Sequence, residues 1–174
     1  MRKFLLAVLC CAPLLILTGC GYKPTVHYAK KEITGSVYVD LDVNIEDPKN
    51  SVLVKDAMNE LLVHKLGSKL VYNKKHADTV MFVKLNSVSL SELSYNEDGY
   101  IKLYKATTSI NVRYINSLKK TSSFSVSGTY DFSIDDGGTI SDTKRFEAIK
   151  NAANKALDEV LSKIAIQTFK KDEF

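Results

Sequence analysis

The sequence predicts an α+β fold in which two helices pack on one face of a four-stranded mixed sheet of long strands, in the order β-α-β-β-β-α. Three observations carry this. Four stretches, 36–45, 79–95, 100–116 and 121–134, alternate apolar and polar residues as half-buried strands do. Two others repeat apolar residues at helical spacing, from Val54 to Leu66 and from Phe146 to Ile164. The pair Asp98-Gly99, between the second and third alternating stretches, is a strong hairpin signal.

The chain opens with Arg2 and Lys3, an apolar run from Phe4 to Leu17, and then Thr18-Gly19-Cys20. A basic start, a short apolar run and small residues before a cleavage point make a secretory signal. The run is shorter than the about 20 residues of a membrane-spanning helix, and Pro13 interrupts it. A chance cysteine after an ordinary signal is the plain alternative. Leu17-Thr18-Gly19-Cys20 as a whole looks like a bacterial lipobox, in which Cys20 becomes the first mature residue and carries the acyl chains. Two or more chains anchor a protein stably, at about 0.8 kcal/mol per buried CH₂. In lipoproteins of this kind an aspartate after the cysteine favours the inner membrane. Gly21 stands there instead, which implies the outer membrane.

Residues 1–19 are therefore expected to be the signal, 20–35 a lipidated polar tether, 36–170 a single domain and 171–174 a fraying tail. Loss of Arg2 and Lys3 takes the formal charge from +4 to +2. That small excess is not a nucleic-acid binder's. Cys10 and Cys11 leave with the signal and Cys20 is taken by lipid, so no thiol remains for a disulfide.

In the first strand Val37, Val39, Leu41, Val43 and Ile45 share a face, opposite Tyr38, Asp40, Asp42 and Asn44. Asp47-Pro48 is a helix start, with Asp as cap and Pro in the first turn. Val54, Met58, Leu61, Leu62 and Leu66 form the apolar stripe of that helix, and Gly67 ends it. Lys69 to Lys75 is a short strand or turn. The next strand buries Met81, Val83 and Leu85, then switches parity to Val88 and Leu90, which predicts a bulge near Asn86. After the turn at 96–99, Tyr104, Ile110, Val112 and Tyr114 are in phase on the third long strand. On the last, Phe124, Val126, Tyr130, Phe132 and Ile134 lie opposite Ser123, Ser125, Ser127 and Thr129. Asp135-Asp136-Gly137-Gly138 breaks the strand, and a helix from Ser141 to Lys170 closes the chain. A strand of about 14 residues spans roughly 45 Å, against a usual length of about 5–6 residues. The sheet is therefore expected to extend past its helices.

No catalytic constellation is present. The chain lacks Gly-x-Ser-x-Gly, His-Glu-x-x-His and a phosphate-cradling glycine loop. Asp40 and Asp42 suit a solvated strand face, His64 a helix end, and Asp135–Gly138 a turn without the further ligands of a calcium loop. No cofactor or metal is implied. Two features point to partners. A face of small hydroxyls with few charges, Ser123, Ser125, Ser127 and Thr129, suits either an ordinary exposed sheet or a crowded polar setting such as a barrel lumen. Basic residues gather near turns, at Lys102, at Lys119-Lys120 and at Lys144-Arg145, where they are either solvated surface or partners for phosphorylated lipid.

The opening Leu17-Thr18-Gly19-Cys20-Gly21-Tyr22-Lys23-Pro24 is similar to that of the lipopolysaccharide-assembly lipoprotein family, LptE. A strand like Val37–Ile45, a helix like Leu53–Leu66, a segment like Ala77–Val83, a turn like Glu97-Asp98-Gly99 and a closing helix like Phe146–Ala165 follow in the family's order. The resemblance implies two helices on a four-stranded mixed sheet. It also implies a non-enzymatic, lipid-anchored outer-membrane protein that plugs the lumen of the barrel LptD, helps it assemble, and binds lipopolysaccharide. Family members carry functional basic residues near the central turn and near the start of the last helix. Here the turn holds Asn96 and Glu97, with Lys102 later, while Lys144 and Arg145 occupy the second region. A lipoprotein accessory of another envelope complex is the alternative reading.

Overall fold

The computed structural model describes residues 24–43, 47–134 and 139–172. They form one five-stranded sheet covered on one face by three helices. In chain order the elements are α1 (Thr25–Glu32), β1 (Ser36–Asp42), α2 (Pro48–Leu61), β2 (Lys69–Leu70), β3 (Thr79–Tyr95), β4 (Ile101–Ile115), β5 (Thr121–Ser133) and α3 (Asp142–Asp172). The sheet order is β2-β1-β3-β4-β5. β1 pairs in parallel with β2 and β3; β3–β4 and β4–β5 are antiparallel.

Two expectations need correction. The sheet has five strands, because Lys69 and Leu70 add a two-residue parallel edge beside Ser36 and Val37. So short a pairing leaves no alternation to read. There are also three helices. Thr25–Glu32, in the segment expected to be a tether, is helical and buries Ala29, with Ile33 just beyond it. Its apolar stripe is short, Val26 and Ala29 with Ile33 just beyond, and it packs into the main core beside α3.

α2 begins as its sequence requires. Asp47 accepts a hydrogen bond from the Asn50 backbone N–H at 3.3 Å, and Pro48 stands in the first turn. Val54, Met58, Leu61, Leu62 and Leu66 are all buried. The last turn, Leu62–Leu66, widens to a π-helix before Gly67 closes it at φ +65°. β1 is shorter than expected. It ends at Asp42, Val43 is 46% exposed, and Ile45 lies outside the described residues. α3 runs past Lys170 to Asp172, where a fraying tail was expected.

The parity switch in β3 is a bulge. Leu85 pairs with Ile110 and Ser87 with Ser109, so Asn86 is the extra residue. Met81, Val83 and Leu85 before it point at the helices, and Val88 and Leu90 after it do the same. The main core joins these to Val37, Val39, Ile110, Val112, Val126, Met58, Leu157 and Ile164. Each such side chain contributes roughly 1.5–3 kcal/mol on burial. A thinner core of Ala106, Ala148 and Ala152 lies under the first half of α3, edged by Leu90, Tyr130 and Phe132.

With 31 residues, α3 is about 46 Å long at 1.5 Å per residue, matching the strands it lies along. Its two ends define the molecule's ends. The distal end holds the start of α3 and the β3–β4 hairpin. Beyond the Leu103–Ser133 pair that hairpin is two-stranded, and Leu93, Tyr95 and Tyr100 are exposed there. The proximal end holds the β4–β5 turn, the close of α2 and the C-terminal part of α3. There Tyr114 and Asn116 both donate to the buried carboxylate of Glu32, at 3.3 and 3.0 Å, and the Tyr114 hydroxyl lies 3.2 Å from Gln167 Oε1. This network joins α1, β4 and α3.

Candidate functional site

All three helices lie on one face, so the other face of the sheet is uncovered among the described residues. Strand alternation and the Asn86 bulge decide what stands there. Because the bulge keeps Val88 and Leu90 on the core, Ser87, Ser89 and Ser91 fall on the open side. Two cross-strand rows result. Ser87 pairs with Ser109 and Ser109 with Ser127; Ser89 pairs with Thr107 and Thr107 with Thr129. Side chains directly opposed across strands stand about 4.5–5.5 Å apart at Cβ, so six hydroxyls tile the centre of the face.

Charges flank this centre in pairs. Toward the proximal end the Arg113 guanidinium lies 4.2 Å from the Phe82 ring centroid, and Lys74 Nζ is 4.7 Å from the same ring. Lys74 also meets Asp40 at 3.8 Å, and Lys84 meets Asp42 at 3.2 Å. Toward the distal end Lys105 pairs with Asp131 at 3.8 Å.

The expected interface residues Ser123, Ser125, Ser127 and Thr129 all lie exposed on this face, on the edge strand β5. The matching hydroxyls on β3 and β4 were not foreseen as part of the same surface. The parity switch at Asn86 carried the signal for the β3 serines, since it fixes which side they take.

The expected basic residues do not form one site. Lys144 and Arg145 open α3, where the Ser141 hydroxyl accepts from the Lys144 backbone N–H at 3.3 Å. Lys102 is close by, its carbonyl accepting from the Ile134 N–H at 3.1 Å. Asp131 and Glu147 line the same hollow as Lys144, which reduces the positive excess there. Lys119 and Lys120 lie in the β4–β5 turn at the other end of the sheet, with Lys119 at φ +60°. Leu103 to Ile115 is twelve residue steps, about 40 Å. Cys20 lies outside the described residues, as does the turn at 135–138.

Among the described residues no group of three or more His, Cys, Asp or Glu side chains is placed to hold a metal ion. Two titrations are shifted by structure. The Asp78 carboxylate accepts from the Ser36 backbone N–H at 2.7 Å and from its hydroxyl at 2.8 Å, which holds its pKa below the ordinary value. Burial, and then the Glu32 charge, pushes the Tyr114 hydroxyl up to about 12. Both are ties: the first positions the start of β1, the second the end of α1.

Solved structures share this fold. Rare lipoprotein B from Shewanella oneidensis aligns with a TM-score of 0.52 at 16% identity, over 79% of this chain and 98% of that one. Lipoprotein B from Nitrosomonas europaea aligns at 0.50 and 12% identity, over 87% and 93%. A homologue of neuraminyllactose-binding hemagglutinin from Helicobacter pylori aligns at 0.52 and 13%, over 82% and 88%. At these identities the likeness is one of fold. No curated protein sequence matches the chain. The sequence model of LptE, described as lipopolysaccharide-assembly, matches residues 38–164, which run from β1 into the last turns of α3 and include the whole open face; the chain belongs to the LptE family.

Proposed function

We propose that this chain is an outer-membrane lipoprotein, acylated at Cys20, that sits within the lumen of an LptD-like β-barrel, helps it assemble, and binds lipopolysaccharide for insertion into the outer leaflet. On this reading it is not an enzyme. The observation that carries the proposal is the open sheet face, with its two hydroxyl rows and its peripheral, paired charges. Barrel lumens are polar, and small hydroxyls can both donate to and accept from such a wall. Size agrees. The strands and α3 run about 45 Å, longer than the about 30 Å hydrocarbon core that a barrel crosses. For lipopolysaccharide, Lys102, Lys144 and Arg145 at the distal end can meet phosphates and sugar acids, and the positive end of the α3 dipole favours an anion there.

Purification of the acylated protein in mild detergent tests the partner, and photo-crosslinkers test the face. A stoichiometric outer-membrane barrel is expected, captured from positions 125 and 129 but not from the exposed helix positions 56 and 150. A different stoichiometric partner, such as a secretion or transport subunit, defeats the barrel reading. Capture from the helix positions alone defeats the assignment of the face.

A further inference from the structure

The positive charge of this domain is concentrated at its proximal end. Lys30 and Lys31 close α1 there. Lys65 is in the final turn of α2 and Lys69 opens β2. The Lys30 ammonium lies beside Gly67, which brings the ends of α1 and α2 together. Lys75 and Lys119 line one hollow between the segment before β3 and the β4–β5 turn, and Lys120 follows in that turn. All of these are exposed. Among the described residues none of Lys65, Lys69, Lys75, Lys119 and Lys120 has a carboxylate within salt-bridge distance. Lysines outnumber the acids at this end, although Asp78 lines the hollow of Lys75 and Lys119, and Glu60 and Asp158 line that of Lys65. Glu32 is buried in hydrogen bonds, Asp78 is held by Ser36, and Asp40 faces Lys74. At the distal end, by contrast, Glu97 and Asp98 form the hairpin tip and Asp142 starts α3.

The acyl chains are tied to the same end. Cys20 is four residues before Pro24, a span of at most about 14 Å, and α1 adds about 12 Å before it reaches the Asn116 turn. The hairpin tip is more than about 45 Å away along the sheet. Resting on the reading of Cys20 as acylated, we infer that the lysine-rich proximal end is a membrane-facing surface that lies on anionic phospholipid headgroups and sets the domain upright on its anchor. Charge complementarity and the length of the anchoring chain select this occupant. Acyl chains alone fix position and do not set the orientation of the domain. Lysines within a Debye length of an anionic surface are each attracted to it, whereas the acidic hairpin tip is repelled. Before it enters a barrel, the domain then stands with its open sheet face along the membrane normal and its distal end pointing away from the headgroups.

The test is a lysine footprint of the full acylated chain in vesicles. The vesicles are phosphatidylcholine alone, phosphatidylcholine with one third phosphatidylglycerol, or phosphatidylcholine with lipopolysaccharide. Each lysine's acetylation by a brief pulse of activated ester is read by mass spectrometry. With phosphatidylglycerol, Lys75, Lys119 and Lys120 should react roughly threefold more slowly than with phosphatidylcholine alone. They should recover in about 1 M salt, where the Debye length falls to about 3 Å. Lys102 and Lys150 should not change. A chain carrying Lys75→Glu, Lys119→Glu and Lys120→Glu should also lose the protection of Lys65 and Lys69. Equal rates in the first two vesicles, protection at both ends by phosphatidylglycerol, protection by lipopolysaccharide only, or continued protection of Lys65 and Lys69 in the variant overturns the inference. Flotation with phosphatidylcholine vesicles reads the anchor separately. If the chain fails to float, the reading of Cys20 falls, and the same footprint with chain added to preformed phosphatidylglycerol vesicles still decides the lysine face.

Discussion

Gly128 on β5 lies directly against the backbone of Ala156 on α3, so that a Cβ at residue 128 would overlap the Ala156 amide and the Ala152 carbonyl oxygen. Here helix and sheet meet backbone to backbone, with Ala106, Ala148 and Ala152 completing the contact. Gly128→Ala should therefore destabilise, although alanine generally suits a regular backbone better than glycine. The obstacle is backbone on two sides, which cannot swing aside. Overpacking of this kind costs about 1–3 kcal/mol, equivalent to roughly 2–12 °C in melting temperature for a domain of this size. Thermal melts followed by circular dichroism check it. A variant as stable as the parent would mean that α3 lifts from the sheet without penalty.

The Tyr114 hydroxyl predicts a specific alkaline weakness. Its pKa is raised from 10.0 to about 12, first by burial and then by the Glu32 carboxylate. In the unfolded chain it ionises near 10, so above that pH the unfolded state holds fewer protons than the folded one. The stabilising contribution is thus full below pH 10 and is lost as pH rises through about 12. Lysines titrate in the same window, so the useful quantity is a difference. The parent should lose more of its urea midpoint between pH 9 and about 11.5 than Tyr114→Phe does. Identical slopes in the two proteins would show that this hydroxyl is not sequestered.

Much of the fold was legible because one period and one stop signal suffice for an element. Asp47-Pro48 and Gly67 bound α2 as expected, and the parity change at Asn86 is a one-residue bulge. What escaped depends on tertiary contact. α1 is tied down where Glu32 meets Tyr114 and Asn116 across more than eighty residues of chain, a contact that nothing local to TVHYAKKE encodes. β2 is too short for a pattern. The basic clusters were visible one by one, but not that β4 and β5 carry Lys119 and Lys144 to opposite ends. Conversely, Lys65, Lys75 and Lys119 share an end only after the sheet order is known.

Ser125 predicts a separation of folding from assembly. It is exposed in mid-strand on the open face, opposite Asn111. Ser125→Arg adds a long cation where solvent has room for it, so the isolated chain should melt within about 0.5 kcal/mol of the parent. Against a close-fitting barrel wall the same side chain has no space. The variant should fail to co-purify with the barrel while remaining folded and acylated. Normal recovery of the complex would show that the wall does not approach β5 there.

The two distant basic clusters give the last prediction, which separates lipopolysaccharide recognition from membrane contact. Exposed charge pairs are worth about 1 kcal/mol or less each, so reversing both Lys144 and Arg145 to Glu should raise the Kd for lipopolysaccharide about tenfold or more. High salt should shrink the difference, because exposed charges are screened. Lys119→Glu with Lys120→Glu, about 40 Å away, should leave that Kd within about twofold of the parent. The four-fold variant should then match the distal pair alone, since sites this far apart do not couple. Titration of the full chain in detergent with lipopolysaccharide at two salt concentrations decides the matter. If the proximal pair carries the loss, the glycolipid sits at the lysine-rich end, and the start of α3 serves some other purpose.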